Sequence, residues 1–179
     1  MERASSDAAF QAALHEAFLL FECKQDKDIE EFLREKVYEY YNRHACSVYI
    51  LFNEDDFYQG ILRVEAYFTL SHKSLTADPE TMTKSRIKKY GGSETAKTLD
   101  FVLIGQLGKH ISDSYKSPLS GKYILDKAFE VIHAASDLIP CKHVLIECSD
   151  EPKVRAVYED YRFTFFQNDG SHNQYVKKL

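Results

Sequence analysis

The sequence predicts an α/β (α+β) protein in which helices pack on a central sheet, and three observations lead to this class. The run Leu99–Leu107 has four consecutive apolar residues before Gly105, which is typical of a central strand buried on both faces. The segment Ser120–Ala135 carries apolar residues at helical spacing on one stripe. Strand-like and helix-like segments alternate along the rest of the chain, which favours layers of both kinds.

The composition is that of one globular domain of ordinary size. The chain has 179 residues, of which 44% are hydrophobic and 28% charged, so it can bury a core without disulfide or metal support. The net charge of −5 argues against a protein whose whole surface binds nucleic acid, although it leaves room for local basic patches. We expect an N-terminal helical arm over residues 1–17 and a single domain over residues 18–179.

The cysteines and histidines predict no metal site. Cys23, Cys46, Cys141 and Cys148 form no C-x-x-C pair, and the seven histidines form no H-E-x-x-H. The thiols are therefore expected to be reduced and mostly buried. The sequence also shows no apolar run of membrane-spanning length and no signal-peptide core, which predicts a cytoplasmic protein without a membrane partner.

The first part of the chain predicts two helices with a short apolar run between them. The Ala-rich segment Asp7–Glu16 favours a helix capped by Ser6 or Asp7. Phe18–Cys23 predicts a first strand or, alternatively, a continuation of that helix. Asp28–Arg43 begins with the spacing of a capping box and has one apolar face, which predicts a helix.

The middle of the chain predicts a hairpin followed by a basic helix. Ser47–Phe52 is rich in β-branched and aromatic residues and ends at the polar turn Asn53–Asp56. Leu62–Leu70 alternates apolar and more polar residues, as a half-buried strand does. Thr83–Tyr90 predicts a short basic helix ended by Gly91 and Gly92, with either a solvated face or a patch for an anionic partner.

The last part of the chain predicts a strand, a helix and a hairpin. His143–Cys148 is a short buried strand. A helix follows, with Asp150 as N-cap and Pro152 in its first turn. Phe163–Phe166 and Gln174–Val176 predict two strands joined by a turn at residues 168–170.

The order of these elements and two short motifs resemble the GNAT superfamily of acetyl-CoA-dependent N-acetyltransferases over residues 18–179. Lys116–Gly121 is the best match to the phosphate-loop pattern Gln/Arg-x-x-Gly-x-Gly/Ala, with Leu119 in place of the first glycine. Val154–Phe163 is similar to Ala-x-x-x-Tyr-Glu-Lys-x-Gly-Phe, with Arg162 at the glycine position. The resemblance implies a mixed, mostly antiparallel GNAT-type sheet that splays between its fourth and fifth strands.

A narrower likeness links the chain to the GNAT branch that contains toxins acetylating the amino group of charged tRNA. Phe21–Cys23 and Asp28–Lys36 resemble that branch's Phe-x-Cys-Gly and Leu-Asp-x-Phe-Leu patterns. Ile104–Leu107 resembles its Leu-Gly-Arg-Leu-Ala strand, with Gln106 where the branch has Arg. The acidic net charge speaks against a tRNA acceptor, so this branch is the alternative.

The resemblance implies acetyl-CoA as the cofactor and direct transfer of the acetyl group to a primary amine. The chain would reverse direction at Ser117–Gly121, where backbone N–H groups, with the helix dipole behind them, would hold the pyrophosphate. Backbone after the central strand would pair with the pantetheine arm. The implied cofactor-binding residues are Leu107, Gly108, Lys109, Lys116, Ser117, Pro118, Leu119, Ser120, Gly121 and Lys122.

The resemblance also suggests candidates for proton transfer. Tyr158 holds the family position of the general acid for the leaving CoA thiolate, and Glu147, at a strand end, is the candidate general base. Glu65 is a less favoured base. A turn is predicted over Lys109–Leu119. His110 near it, and Cys148 as an acetyl-carrying nucleophile, are weaker candidates still.

The sequence leaves the acceptor open. A small molecule, a peptide or an aminoacyl-tRNA could supply the amine, because loops such as residues 71–98 show their composition but not their geometry. A homodimer is equally open. The alternative to an enzyme is a binding module that holds CoA or acts through partners, since Pro118 and Leu119 can hinder a pyrophosphate.

Overall fold

The computed structural model describes residues 8–179. The helices are α1 (Ala8–Leu19), α2 (Lys27–Glu31), α3 (Val37–Asn42), α4 (Glu54–Tyr58), α5 (Lys84–Gly91), α6 (Gly121–Ser136) and α7 (Pro152–Asp160), and a π-helical turn (Phe32–Lys36) joins α2 to α3. The strands are β1 (Ser47–Phe52), β2 (Val64–Thr76), β3 (Thr98–Lys109), β4 (His143–Cys148), β5 (Thr164–Asn168) and β6 (Asn173–Lys178).

The six strands form one mixed sheet in the order β1-β2-β3-β4-β6-β5. β3 and β4 are parallel, whereas β4 with β6 and β5 with β6 are antiparallel. The parallel pairing covers Val102–Ile104 with Val144–Ile146, although β3 continues to Lys109 and β4 to Cys148. The predicted class of a mixed sheet flanked by helices is confirmed, and the splay between these two strands that the resemblance implied stays a prediction.

The residues form two compact units, which are described separately. The N-terminal unit contains the described part of residues 1–69 together with residues 106–124, and the C-terminal unit contains residues 70–105 and 125–179. Each has its own buried cluster. The cluster of the N-terminal unit includes Phe18, Phe21, Leu33 and Tyr67, and that of the C-terminal unit includes Ile87, Leu99, Phe101, Leu145 and Phe166.

The predicted first strand at Phe18–Cys23 is wrong. The alternative, a continuation of the preceding helix, is correct as far as Leu19. Helix α1 continues through Leu19 because Ala17 and Phe18 fall on its buried side, each with only 4% of its surface exposed. Cys23 makes a single bridge to Ile111. The boundary predicted between residues 17 and 18 lies inside α1, and the division into an arm and a domain stays a prediction. The cap predicted at Ser6 or Asp7 lies outside the described residues.

The predicted helix over Asp28–Arg43 forms from Lys27 to Asn42, with a different cap. Asp26, in extended conformation, accepts hydrogen bonds from Asp28 N at 3.0 Å and Ile29 N at 3.4 Å, so it takes the N-cap role predicted for Asp28. The polar turn predicted at Asn53–Asp56 instead starts the short helix α4, because the Asn53 side chain caps Asp56 N.

The burial predicted for β2 and β3 is reversed in the structure. Residues 64–69 of β2 are all buried, whereas β3 alternates between buried and half-buried or exposed positions. In the N-terminal unit Val64 and Tyr67 join the cluster formed with α1 and the π-helical turn, while Phe68 stacks on Tyr49 of β1 at 5.0 Å. Side chains on both faces of β2 are thus covered, which a period-two pattern does not reveal.

Most of the remaining elements form as predicted. Helix α5 ends at Gly91 and is capped by Gly92, whose φ of 79° is the left-handed conformation that glycine adopts without strain. The predicted cap at Asp150 is wrong: Glu151 occupies the N-cap position without a side-chain hydrogen bond, because Asp150 pairs with Asn173 and Arg155. Among the described residues, no helix is long and apolar enough to cross a membrane.

Candidate active site

The end of β3 lies tightly against α2 in the N-terminal unit. Gly108 is buried, and a Cβ built on it would come within 2.4 Å of Ile29 Cγ2, so only glycine allows this approach. Gln106 N donates to Thr69 Oγ1 at 2.9 Å. Leu107, Gly108 and Lys109, the residues predicted to pair with pantetheine, all belong to β3 itself, which continues to Lys109, two residues beyond the predicted end at Leu107.

The loop between β3 and α6 reverses direction earlier than the sequence suggested. Ser112 and Tyr115 close a turn, with Ser112 N donating to Tyr115 O at 2.7 Å and Tyr115 N donating to Ser112 Oγ at 3.0 Å. Ile111 and Lys116 form an antiparallel bridge across this turn. The chain then runs from Ser117 into α6, so the reversal expected within Ser117–Gly121 lies at residues 112–115.

Part of the predicted anion cradle is already occupied within the loop. Ser117 N donates to His110 O at 2.9 Å, Leu119 N donates to Ser117 Oγ at 3.2 Å, and Pro118 has no N–H. Ser120 caps α6, since its Oγ accepts from Tyr123 N at 3.1 Å. The first turn of a helix presents the positive end of the helix dipole, so the start of α6 at Gly121 is the part of the loop that suits an anion.

Lysine and proline side chains frame this loop. Lys109 Nζ donates to Leu119 O at 2.8 Å and so fastens the loop to the end of β3. Burial lowers the pKa of Lys109, and the charge of Lys116 lowers it further. Pro118 is exposed and Leu119 half-buried, while Lys116 and Lys122 are exposed. The Pro118 side chain therefore does not fill the loop.

A buried carboxylate lies beneath the loop. Glu65 of β2 is 2% exposed, and its Oε1 accepts from Asn53 Nδ2 at 2.9 Å and from the Tyr115 hydroxyl. Burial would raise the pKa of Glu65, but hydrogen bonding to Tyr115, Asn53 and Ser117 lowers it below its usual value. Glu65 O also accepts from His110 N at 2.8 Å. Glu65 is thus an ionised anchor for the loop, tied to it at Tyr115 and His110.

Sequence reasoning missed the residues that complete this anchor. Arg63 lies over the Tyr115 ring at 4.9 Å and pairs with Asp56 at 2.8 Å. Hydrogen bonding to Tyr115 raises the pKa of Arg63. The available signal was the pair of charged residues, Arg63 and Glu65, at alternate positions in the predicted strand Leu62–Leu70. Tyr115 carried no signal of its own, because it fell in a stretch predicted only as a turn.

His110 is packed rather than exposed. Its Nδ1–H donates to Val64 O at 3.2 Å, and its ring contacts Phe21 at 5.5 Å and Tyr115 at 5.3 Å. These contacts hold the start of the loop against β2. His110 therefore has a structural environment in the N-terminal unit.

In the C-terminal unit, Glu147 lies on β4 with its carboxylate engaged. Its Oε1 accepts from Gln174 Nε2 at 2.7 Å and lies 3.1 Å from Lys73 Nζ. Gln174 also contacts Asp169, so a chain of polar groups crosses from β4 to β6 and to the turn between β5 and β6. A general base at Glu147 would have to exchange the Lys73 ammonium for the acceptor amine.

Tyr158 lies on α7 near a helix end of unusual geometry. The Tyr158 side chain is 8% exposed and its ring meets Phe163 edge-on at 6.0 Å. Phe163 N donates to Tyr158 O at 2.9 Å and Arg162 N to Glu159 O at 2.8 Å, the two bonds of a Schellman cap. Arg162, at the motif's glycine position, has φ of 68°, so the backbone keeps the glycine conformation without glycine.

Cys148 does not have the environment of a nucleophile. The side chain is buried, and desolvation raises the pKa of its thiol to about 11. A thiol with that pKa is almost wholly protonated at neutral pH, and the thiolate is the reactive form. The environment of Cys148 therefore does not favour the role of an acetyl-carrying nucleophile.

Comparisons with known proteins place these elements in a fold. The sequence matches no protein-family model and no curated protein. Among solved structures, the AtaTR complex bound with acetyl-CoA matches with a TM-score of 0.69 at 19% identity, covering 90% of this chain and 86% of that chain. AtaT complexed with acetyl-methionyl-tRNAfMet matches at 0.68 and 18% identity, and a Tyr-to-Phe variant of KacT at 0.69 and 17%, with the same coverage. Over 90% of its length the chain therefore has the GNAT fold that these structures share.

Proposed function

We propose that the protein is an acetyl-CoA-dependent N-acetyltransferase that transfers an acetyl group directly to a primary amine. The observation that carries the proposal is the succession of strand β3, the anchored loop and helix α6. It occurs within a fold whose solved examples include an acetyl-CoA complex. A strand leading through a short loop into a 16-residue helix directs amide groups and the positive end of the helix dipole at one point.

Each part of the cofactor meets a distinct feature of the N-terminal unit. The pyrophosphate lies at the first turn of α6, at Ser120, Gly121 and Lys122, with Lys116 as an exposed cation nearby in sequence. The pantetheine arm pairs with the backbone of Leu107–Lys109 as an added strand. Ser117 and Leu119 shape the loop through their internal hydrogen bonds rather than through contacts with phosphate.

The chemistry requires four steps that balance. The neutral amine attacks the thioester carbonyl carbon, and the charge that develops on the oxygen is stabilised by a backbone N–H near the end of β3. The C–S bond breaks, the nitrogen loses a proton, and the CoA thiolate gains one. Tyr158 is the proposed donor of the proton that the CoA thiolate gains. Glu147 is the proposed acceptor of the proton that the amine nitrogen loses, once its carboxylate has separated from the Lys73 ammonium.

We propose an aminoacyl-tRNA as the first acceptor to test. The support is the structural likeness to AtaT, which was solved with acetyl-methionyl-tRNAfMet and, separately, with the C-terminus of its antitoxin AtaR. A toxin of this kind would arrest growth when expressed, and a partner of antitoxin type would relieve the arrest. Growth at the normal rate with fully folded, acetyl-CoA-binding protein would exclude this acceptor while leaving the transferase proposal intact.

One observation favours the second candidate, a binding module without turnover. The amides of Ser117 and Leu119 are consumed inside the loop, which leaves fewer donors for a diphosphate than a loop with all of its amides free would offer. Such a module would bind CoA and acetyl-CoA with equal affinity and release no thiol with any amine.

The test is an acceptor panel assayed by release of the CoA thiol and by mass spectrometry of the product. Free amino acids, peptides with free N-termini and charged tRNA are each incubated with acetyl-CoA. We expect one class to gain a single acetyl group with equimolar thiol release. Thiol release with no acetylated product would indicate hydrolysis only, and no release with any class would favour the binding module.

A further inference from the structure

The basic helix α5 and the edge strand β5 enclose an open cleft in the C-terminal unit. The cleft has a volume of about 360 Å³, within the range of roughly 300–1,000 Å³ that small-ligand sites occupy. Three aromatic rings line it, from Tyr90, Phe165 and Phe166. Two cations, Arg86 and Lys89, complete the same wall, and none of the acidic residues in the described range 8–179 lines the cleft.

A bulge in β5 brings two consecutive aromatic residues into this cleft. Phe165 pairs with Tyr175 and Gln167 with Gln174, so Phe166 is the extra residue between them. Such a bulge redirects side chains that would otherwise alternate across the sheet. Phe166 is 5% exposed and forms the floor, whereas Phe165 is 57% exposed and presents a free aromatic face. The aromatic surface is thus available to a planar ligand.

The cations are held in place without neutralisation. The Arg86 guanidinium lies 4.2 Å from the centre of the Phe166 ring and donates to Phe166 O. Lys89 Nζ lies 4.9 Å from the Tyr90 ring centre. Within residues 8–179 neither side chain forms an ion pair, unlike Lys88, which pairs with Glu94 at 3.1 Å. In a chain of net charge −5, two oriented and unneutralised cations mark a place for an anion.

We propose that this cleft binds single-stranded RNA, with a base stacked on Phe165 and adjacent phosphates on Arg86 and Lys89. Single-stranded nucleic acids are bound by this combination of cations that follow the backbone and aromatic rings that stack on bases. The hydroxyls of Thr83 and Ser85, which also line the cleft, offer partners for ribose. The choice of RNA over DNA rests on the proposed aminoacyl-tRNA acceptor; the charge and ring geometry do not depend on it.

The test is fluorescence anisotropy of a labelled single-stranded RNA of about ten nucleotides, titrated with full-length protein without acetyl-CoA. We expect binding that weakens with salt, and Phe165→Ala to weaken it about tenfold through loss of one stacked base. Lys89→Ala should reduce the slope of log K against log salt by about 0.7, the value for one phosphate contact on a single strand. Arg86→Lys keeps the positive charge but removes the planar guanidinium that lies over the Phe166 ring, so it tests whether RNA binding needs that stacked group.

Matched controls separate the cleft from general effects. Lys153→Ala removes an exposed lysine of α7, and Tyr58→Ala removes an exposed ring of α4 that is 79% accessible; both should bind RNA as the wild type does. The proposal would be overturned if a control variant lost as much RNA affinity as a cleft variant. It would also be overturned if the wild type bound an RNA duplex as tightly as the single strand, or bound no RNA at low salt. Because acetyl-CoA is absent, failure here leaves acetyl-CoA binding untouched, and the reverse also holds.

Discussion

At the scale of single residues, Glu65 and Tyr115 decide whether the loop before α6 keeps its shape. The hydrogen bond between them joins a buried carboxylate to the turn at residues 112–115. Tyr115→Phe removes one donor from a carboxylate that is 2% exposed, so we expect a loss of about 1–2 kcal/mol in the free energy of unfolding. Urea denaturation measures it. Tyr58→Phe, on an exposed ring, is the matched control and should cost nothing.

The lowered pKa of Glu65 predicts a pH dependence with a definite sign. The unfolded chain binds this proton more readily than the folded protein, so Glu65 stabilises the fold above its unfolded value of 4.5. That contribution is lost as pH falls through the lowered folded pKa. We therefore expect the stability advantage of wild type over Glu65→Gln to shrink between about pH 7 and about pH 3. A constant difference across this range would show that Glu65 is not an ionised anchor.

Tyr158 is the proposed general acid, and removal of its hydroxyl oxygen tests this role. Tyr158→Phe should lower kcat about 10²-fold and leave the Kd of acetyl-CoA nearly unchanged, because the hydroxyl acts only on the leaving thiolate. Tyr161→Phe is the control on the same segment, since its hydroxyl is engaged with Asp126 at 2.7 Å. Stopped-flow thiol release measures both. Loss of turnover in Tyr161→Phe alone would move the acid role to that residue.

At the scale of secondary structure, the C-terminus of α7 stores strain. Arg162 has φ of 68°, and its amide and that of Phe163 complete the helix cap. A non-glycine residue in this conformation costs roughly 1–2 kcal/mol, partly offset by the greater chain entropy of glycine. We expect Arg162→Gly to raise the free energy of unfolding by about 0.5–1 kcal/mol. Arg162→Ala keeps the strain without the long side chain and should give no such gain.

The close contact of β3 with α2 predicts how substitutions at Gly108 and Ile29 change the stability of the fold. Gly108→Ala would place a methyl group 2.4 Å from Ile29 Cγ2, so we expect a loss of about 1–3 kcal/mol. Ile29→Leu removes that branch at nearly constant volume. In the Ile29→Leu background the same Gly108→Ala change should cost less than half as much, as a double-mutant cycle measures. Additive losses would show that the two residues do not meet.

At the scale of the whole molecule, the sequence predicted the fold more fully than the site. Local sequence patterns were enough to predict the order of most elements and to locate the two short motifs. The elements that formed where expected are β1, α5, α6, β4 and the final hairpin. Burial of β2 and β3 did not follow, because period-two patterns do not say which faces other elements cover. The loop's internal hydrogen bonds and the cleft at the β5 bulge depend on pairings between distant residues, which spacing does not encode.

The central claim is that a diphosphate is held at the first turn of α6, and one substitution addresses it. Ser120→Asp keeps a good N-cap for the helix but places a carboxylate where the phosphates would lie, whereas Ser120→Asn keeps the cap without charge. Isothermal titration with acetyl-CoA should show one site per chain for wild type and Ser120→Asn, and at least tenfold weaker binding for Ser120→Asp. Equal affinity in all three proteins, or no heat from wild type at high micromolar cofactor, would contradict the account.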